Sequence, residues 1–302
     1  MQGLMLINKP KNITSFGVVH KIKKLAGEKR VGHTGTLDPM ATGVLPVLVG
    51  RATVLSSYLL DADKSYFACI RLGVCTDTYD VTGQVLSTCP VNISNRDLDH
   101  ALNSFLGVQY QVPPMFSALK KEGKKLYELA RQGLEVDREP RTVHIYSIKR
   151  ETDLKGNCFW LRVRCSKGTY IRSLCNDIGK LLGCGATLEH LTREETHGFC
   201  LDDCVPLEEL TGENIQQYIL PAEAVVYKLE AIGVTEKQAI RFSNGGELDV
   251  NRLHIYPPKP DQLYRIKYNE LFLGVGRFDA VKNAIVIACL VNQYTGEKII
   301  TN

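Results

Sequence analysis

The sequence predicts an α+β protein built from two domains, at residues 1–228 and 229–302. At roughly 150 residues per domain, a chain of 302 residues accommodates two domains with a core each. Strand-like and helix-like segments alternate through the first part, whereas short strand-like segments separated by turns predominate after residue 229. Both observations favour a larger mixed domain followed by a small β-rich one.

The first 60 residues predict regular elements on either side of an irregular loop. Thr14 is a typical start signal for the helix that follows it. Four glycines and two prolines within 31–50 prevent a long regular element in the first half of that segment, so Asp38 is expected in a tight loop. The predicted elements are a strand at 4–7, a helix at 17–24 and a buried strand at 45–49.

Apolar alternation and helical spacing predict the remaining elements. Residues 110–141 carry seven lysines and arginines after a double proline, which indicates a basic insertion. Residues 201–223 are acidic, and we expect a surface helix or a linker there. The predicted elements are strands at 64–74 and 159–165, helices at 98–106, 125–132 and 170–182, a helix capped by Thr235, and strands at 263–268, 271–278 and 284–290.

Composition and charge narrow the class of protein. A hydrophobic content of 44% with 23% charged residues excludes a disordered chain, a collagen and a coiled coil. No apolar run approaches the ~20 residues of a membrane-spanning helix, so no membrane partner is expected. Residues 1–60 carry eight lysines and arginines against two acids, which suits either a nucleic-acid partner or a solvated basic face.

The ten cysteines predict free thiols rather than disulfides or a metal site. The N-terminus has no basic leader before a long apolar run, so we expect a chain that stays in the reducing cytoplasm. There is no Cys-x-x-Cys, and Cys200 with Cys204 has no second pair at zinc-finger spacing. Most of the cysteines lie in apolar segments, where buried thiols are common.

Asp38 is the first candidate for chemistry, because its glycine- and threonine-rich loop allows a close approach to a ligand. Its alternative role is that of an ordinary turn former. Motifs for a phosphate loop, a dinucleotide fold, a zinc protease and a serine hydrolase are absent, so no cofactor is demanded. An enzyme with these residues would rely on one carboxylate.

Three further residues are candidates by position. Arg172 and Tyr170 lie where a strand gives way to a helix, and Arg172 there could pair with a carboxylate and lower its pKa. Tyr66 alternates along a predicted strand. Read alone, the segment with Tyr170 and Arg172 is more typical of a helix cap with a surface arginine and a half-buried tyrosine. Tyr66 and Leu191, read alone, are more typical of core residues.

The order of short motifs along the chain resembles the TruB family of bacterial tRNA pseudouridine synthases, from about residue 3 to about residue 200. The C-terminal part is similar to a PUA domain in size and position. Two departures are Met40, where leucine is usual, and 191–195, where paired basic residues are usual. The matching segments are LINKP at 6–10, TS at 14–15, GHTGTLDP at 32–39, ATGVLP at 41–46, KSY at 64–66, LG at 72–73, TDT at 76–78, PP at 113–114, SALK at 117–120, GKKLYE at 123–128, AR at 130–131 and SKGTYIR at 166–172.

The resemblance implies a pseudouridine-synthase domain on a mixed, largely antiparallel sheet with flanking helices, followed by a small PUA-like β-barrel. It implies conversion of the uridine at position 55 of the tRNA T loop to pseudouridine, with no cofactor and no metal. Asp38 matches the catalytic aspartate, and its covalent attack or removal of a sugar proton both remain open. Arg172 matches its partner, and Tyr66 matches the ring that stacks on the base where carbon 5 loses its proton.

The resemblance also implies how tRNA is held. Tyr170 and Leu191 would complete the base pocket, and His33 matches the residue that fills the space left by the flipped base. The T arm would bind the catalytic domain and the acceptor stem the C-terminal domain of a monomeric enzyme. The residues expected to meet phosphates are Lys9, Lys120, Lys121, Lys124 and Arg131.

Two other functions stay open from the sequence. One is a guide-RNA-dependent pseudouridine synthase, against which the basic insertion argues. The other is a tRNA-folding chaperone without essential chemistry, against which the intact set of Asp38, Tyr66, Tyr170 and Arg172 argues.

Overall fold

The computed structural model describes residues 1–121, 123–253, 255, 258–296 and 299–300. Its helices are α1 (Ser15–Ala26), α2 (Ser56–Leu60), α3 (Asn95–Asn103), α4 (Leu126–Ala130), α5 (Ile171–Leu181) and α6 (Glu236–Ser243). Its first strands are β1 (Gly3–Lys9), β2 (Val31–His33), β3 (Thr42–Val49), β4 (Lys64–Leu72), β5 (Val74–Thr76), β6 (Val85–Thr88) and β7 (Gly107–Gln111). The next are β8 (Lys120–Lys121), β9 (Lys124–Lys125), β10 (Arg141–Arg150), β11 (Cys158–Cys165), β12 (Ala186–Thr196), β13 (Phe199–Cys200) and β14 (Val205–Pro206). The last are β15 (Glu230–Gly233), β16 (Leu248–Asp249), β17 (Leu263–Tyr268), β18 (Leu271–Asp279), β19 (Ala284–Leu290), β20 (Gln293–Tyr294) and β21 (Ile299–Ile300).

A ten-stranded sheet carries the first part of the chain. Its order is β14-β1-β3-β12-β4-β11-β10-β7, with β2 beside β3 and β13 beside β12. The pairs β1–β14 and β3–β12 are parallel, and the other pairs are antiparallel. The prediction of a mixed, largely antiparallel sheet is therefore confirmed.

The two faces of this sheet have different surroundings. Because side chains alternate along β4, Tyr66 and Ala68 point to one face and Phe67 and Cys69 to the other. Apolar side chains of α1, α3 and α5 pack on the Tyr66 face and form the main core. We call the opposite side the back face; His190 on that side is exposed.

A five-stranded sheet, in the order β15-β17-β18-β19-β16, follows near the C-terminus and packs on α6. The predicted strands at 263–268 and 284–290 and the Thr235 cap are confirmed. Part of this sheet covers the β1–β3 end of the back face, where Leu4, Leu6 and Leu48 cluster with Phe272 and Val275. Two cores thus meet through an apolar contact.

The acidic segment is not a surface helix or a linker. It is a string of short turns that buries Val205, Leu207 and Ile215, because Pro206 and Pro221 interrupt any longer helix. The predicted helix at 98–106 begins earlier in α3, since Ser94 and Asp97 form a capping box. The turns are 3₁₀ helices at Leu201–Asp203, Leu207–Glu209, Ile215–Tyr218 and Ala222–Val226.

All ten cysteines are free thiols, and Cys89 and Cys200 are exposed while others are buried. Across the described residues, no helix is both long and apolar enough to cross a membrane.

Candidate active site

Asp38 lies in the loop between β2 and β3, just before a strand that lies inside the main sheet. Ser15, the first residue of α1, accepts a hydrogen bond from the Leu37 amide (2.8 Å) and donates one to the Leu37 carbonyl (3.0 Å). Gly43 lets the chain return to the sheet, because a Cβ there would collide with the carbonyl of Arg193 on β12. The loop is therefore fixed by α1 on one side and by β12 on the other.

Arg172 grips the carboxylate of Asp38 with two nitrogens. Nε lies 2.8 Å from Oδ2, and Nη2 donates to Oδ1 at 3.1 Å. Its other donors bind the carbonyls of Thr78 (3.0 Å) and Phe116 (2.8 Å). The Arg172 side chain is 5% exposed and that of Asp38 33%, so the carboxylate is fixed from behind and open in front.

Asp80 is part of the site, although the sequence indicated only a polar turn there. Its carboxylate lies 3.7 Å from Nε of Arg172 and is almost fully buried. It accepts hydrogen bonds from Thr78 Oγ1 (2.8 Å) and from the amide and hydroxyl of Thr82 (2.9 and 2.5 Å). The signal was a spacing of Asp with flanking threonines, typical of a carboxylate bonded within its own turn.

The electrostatic balance at Asp38 differs from the prediction. Burial raises the pKa of the Asp38 carboxyl, Arg172 opposes this, and the Asp80 carboxylate raises it further. We expected Arg172 to lower this pKa, but desolvation and the second carboxylate outweigh the guanidinium. Asp38 therefore begins to protonate at a higher pH than an ordinary aspartate.

Tyr66 is buried beside a second arginine that the sequence analysis did not select. Burial raises the pKa of Tyr66 to about 12, and the guanidinium of Arg193, which bonds the Tyr66 side chain, opposes this rise. Arg193 is itself fully buried and donates to the carbonyls of Val44 (2.8 Å) and Gly35 (2.8 Å). A single arginine thus ties Tyr66 to both ends of the Asp38 loop.

The contacts of residues 191–195 account for the absence of the paired basic residues that are usual in the family there. The Thr192 hydroxyl lies 2.9 Å from that of Thr42 and joins β12 to the end of the Asp38 loop. Glu194 accepts two hydrogen bonds from Arg162 on β11. These residues serve the sheet rather than a phosphate.

Tyr170 and Leu191 lie beside Asp38 and Tyr66. Tyr170 directly precedes α5, and its amide donates to the side chain of Gln111 (2.7 Å). Burial raises the pKa of Tyr170, and Arg172 is among the charges that lower it. Leu191 is buried in the cluster that contains Tyr66. The structure thus brings together Asp38, Tyr66, Tyr170, Arg172 and Leu191.

His33 ends β2 and is half-buried. Among the described residues its Nδ1 is a buried nitrogen without a hydrogen-bond partner. Burial lowers the pKa of His33, and Arg193 lowers it further, so the ring is neutral at pH 7. A neutral ring with an unused nitrogen can stack against or bond a nucleobase.

Lys9 does not lie where a phosphate contact would require it. Its ammonium is buried and donates to the carbonyls of Pro10 (2.9 Å) and Ile13 (2.7 Å), with Pro39 at 3.4 Å. Burial lowers the pKa of Lys9 to about 8, while Asp38 raises it. Lys9 therefore braces the Asp38 loop from inside.

The other predicted phosphate contacts lie on the insertion. β8 and β9 form a hairpin in which Lys121 faces Lys124, and Lys120, Lys121 and Lys124 are all exposed. Arg131 lies over the ring of Tyr127 at 5.4 Å. Since the Phe116 carbonyl binds Arg172, the base of this insertion reaches the Asp38 site.

Comparisons with protein families agree with the motifs. A model described as the TruB family pseudouridylate synthase N-terminal domain matches residues 23–171. A model described as the tRNA pseudouridylate synthase B C-terminal domain matches residues 172–227.

Curated proteins named "tRNA pseudouridine synthase B" are similar along most of the chain. The one from Clostridium kluyveri is 43% identical, covering 91% of this chain and 95% of that protein. The one from Clostridium novyi is 46% identical with the same coverage of both. The one from Dechloromonas aromatica is 46% identical, covering 83% of this chain and 84% of that protein.

Solved structures share the fold at lower identity. A chain of "Crystal Structure of a Cbf5-Nop10-Gar1 Complex" is 26% identical, with a TM-score of 0.73, covering 95% of this chain and 84% of that one. A chain of "Structure of H/ACA RNP bound to a substrate RNA containing 2'-deoxyuridine" is 23% identical, with the same TM-score and coverage. These matches extend through the C-terminal sheet.

Proposed function

Because this chain belongs to the TruB family and isomerises uridine to pseudouridine in tRNA, we propose that Asp38 is its catalytic carboxylate and the T-loop uridine 55 its target. One observation carries the assignment of Asp38. Its carboxylate is gripped by Arg172 from behind and is open in front, on the loop that carries the family motif. Both roles considered above, covalent attack and proton removal, require this ionised, exposed oxygen.

The surrounding groups support a pocket for a flipped base. Tyr66 would stack on the uracil, with Tyr170 and Leu191 completing the walls. Arg193 polarises the Tyr66 hydroxyl and partly offsets the effect of burial on its pKa. We propose that this hydroxyl lies where carbon 5 loses its proton after the base has rejoined the sugar. His33, with its unpartnered Nδ1, would contact the nucleotides beside the vacated position.

The basic hairpin would hold the RNA backbone. Lys120, Lys121 and Lys124 are exposed on the insertion whose base touches Arg172, and Arg131 directly follows α4. Phosphate contacts there would orient the T arm without reading its sequence. We further propose that residues 229–302 form a PUA-like unit that binds the acceptor stem, and that the enzyme acts as a cytoplasmic monomer.

A guide-RNA-dependent enzyme is the second candidate, since the matched solved structures include an H/ACA RNP. The family models and the 43–46% identity to tRNA pseudouridine synthases B favour the enzyme that acts alone. The described part of the insertion adds a basic hairpin beside the site, which suits direct tRNA binding.

The test is pseudouridine mapping on an unmodified tRNA transcript with purified protein, buffer and salt alone. We expect one carbodiimide-dependent primer-extension stop at the T-loop uridine. Asp38→Asn should lower the rate by about 10²–10⁴-fold or more while tRNA affinity stays within a few-fold. Asp153→Asn, which alters a surface carboxylate that is 66% exposed, should retain full activity.

Activity retained in Asp38→Asn would refute the role of Asp38. No stop with the wild-type protein, together with tight tRNA binding, would instead favour the chaperone or the guide-dependent enzyme. Binding is measured by fluorescence anisotropy on the same transcript, so the two failures are distinguished.

A further inference from the structure

The back face of the central sheet holds a cluster that the isomerisation does not use. Among the described residues, one group combines three metal-ligating side chains within reach of one another: Cys69, Cys158 and Glu189. They come from β4, β11 and the bulged part of β12, three adjacent strands. Cys69 points away from Tyr66 because side chains alternate along β4, so the cluster and the Asp38 site lie on opposite faces.

We propose that Cys69, Cys158 and Glu189 bind Zn²⁺, a divalent cation with high affinity for thiolates. The bound ion would cross-link the three strands that carry these residues. Two thiolates with one carboxylate are typical zinc ligands, and the fourth position of a tetrahedral site would be taken by water.

The distances fit a small adjustment to a tetrahedral site. With Zn–S of about 2.3 Å and Zn–O of about 2.0 Å, the sulfur and oxygen ligands of zinc stand about 3.5 Å apart. Here Sγ of Cys158 lies 3.1 Å and Sγ of Cys69 4.0 Å from Oε2 of Glu189. All three ligand atoms lie within 4.8 Å of one another. The Sγ–Oε2 distances would change by about half an ångström, and the two sulfurs, at most 4.8 Å apart, would approach by at most about 1 Å.

The charges around the cluster also balance with a divalent ion. Arg71 lies 2.6 Å from Oε1 of Glu189 and leaves the other oxygen directed at the thiols. Binding of Zn²⁺ would release two thiol protons to solvent. Two thiolates, one carboxylate, Zn²⁺ and the Arg71 guanidinium then sum to zero, which removes the cost of burying a net charge.

The fluorescence of a neighbouring tryptophan should report metal binding at the cluster. The only tryptophan of the chain, Trp160, is paired with Cys69 across β4 and β11. Its ring stacks between Phe67 (centroids 4.6 Å apart) and His190 (5.8 Å). A paramagnetic ion held by Cys69 and Cys158 would therefore quench its fluorescence.

The test uses full-length protein kept reduced with a phosphine and titrated with Co²⁺ and then Zn²⁺. We expect one equivalent of Co²⁺ to give thiolate-to-metal charge-transfer absorption and to quench Trp160, and Zn²⁺ to reverse both. Cys158→Ser should abolish the absorption, and Glu189→Gln should weaken Zn²⁺ binding at least tenfold. Cys200→Ser is the matched thiol control and should behave as wild type, because Cys200 is exposed and lies elsewhere.

Three results would overturn the proposal: no charge-transfer band at stoichiometric Co²⁺, a wild-type band in Cys158→Ser, or loss of the band in Cys200→Ser. Circular dichroism establishes that each variant is folded. Pseudouridine formation in Glu189→Gln should equal that of the wild type, since the cluster faces away from Asp38. The binding readout does not depend on the identity of the RNA substrate.

Discussion

The Asp38 site places two carboxylates on one arginine. Arg172 contacts Asp38 at 2.8 Å and Asp80 at 3.7 Å, and the Asp80 side chain is only 5% exposed. The guanidinium is therefore shared, and the Asp80 carboxylate disfavours ionisation of Asp38. Asp80 bears on the proposed role of Asp38 through Arg172 and through the pKa of the Asp38 carboxyl.

Replacing Asp80 tests this coupling by pH. The proposed role of Asp38 requires its ionised form, so kcat/KM should fall as the pH drops through a pKa above the ordinary aspartate value of 3.8. Because Asp80 raises that pKa, Asp80→Asn should move the acid limb to lower pH, even though a loosened Arg172 lowers kcat. Single-turnover rates over a pH series measure this. Asp77→Asn, in the same turn but bonded to the Gln84 amide, should leave the limb in place, and an upward shift in Asp80→Asn would contradict the argument.

Arg193 should contribute more to the free energy of unfolding than a surface arginine does. It is fully buried and satisfies the carbonyls of Gly35 and Val44. At about 1.5–3 kcal/mol for each hydrogen bond from a charged donor, Arg193→Ala should lower the free energy of unfolding by about 3 kcal/mol or more. Urea denaturation measures the loss. Arg162→Ala, whose ion pair with Glu194 is half exposed, should cost about 1 kcal/mol or less.

The sequence predicted this site only in part, for a physical reason. The motifs marked Asp38, Tyr66 and Arg172, because each lies in a segment with family-like neighbours. Arg193 was missed because a buried arginine and a surface arginine look alike in sequence, and only the packing of β12 against the Asp38 loop distinguishes them. Lys9 was expected on the surface for the same reason, although its ammonium is bonded to backbone carbonyls.

At the scale of elements, strands with a regular alternation were the predictable ones. β17 and β19 match their predicted bounds. β12 was not predicted, although it lies in the middle of the sheet. Its pairing with β4 shifts register at two bulges, between Leu188 and His190 and between Arg193 and Glu195. Each bulge adds a residue and breaks the period of two on which strand prediction depends.

We expect the positive charge of the β8–β9 hairpin to contribute more to tRNA affinity than the charge of any other element. Lys120, Lys121 and Lys124 of this hairpin are exposed, and the Lys121 ammonium donates to the Asp137 carbonyl (2.6 Å). Replacing Lys120, Lys121 and Lys124 by glutamine should weaken binding. It should also make the negative slope of the logarithm of the association constant against the logarithm of salt concentration shallower by about 2–3, at about 0.7–0.9 for each phosphate contact. Filter binding over a salt series measures both.

The control for the hairpin removes charge elsewhere. Lys149 and Lys155 are exposed outside the insertion, and their replacement by glutamine should leave the slope within error. An unchanged slope in the hairpin variant would remove the hairpin from the RNA interface.

At the scale of the whole molecule, one end of the back face is covered and the other is open. The C-terminal sheet packs Phe272 and Val275 on the β1–β3 end, through the turn Ala222–Val226. Glu223 of that turn pairs with Arg265 (2.8 Å) and Lys267 (3.3 Å). The two sheets are thus joined by an apolar core as well as by ion pairs, which favours a fixed relation between the Asp38 site and the C-terminal sheet.

Removing residues 229–302 tests that relation. Leu4, Leu6 and Leu48 would lose their cover, at about 1.5 kcal/mol or more for each leucine. The fragment 1–228 should therefore unfold about 10 °C or more below the full chain, bind a hydrophobic dye and leave solution as aggregates. Calorimetry and light scattering measure this. Glu223→Gln removes only the ionic contacts and should stay monodisperse, because the apolar cluster supplies most of the attachment. A monodisperse fragment with the stability of the full chain would show that the two sheets are independent and that the apolar contact contributes little.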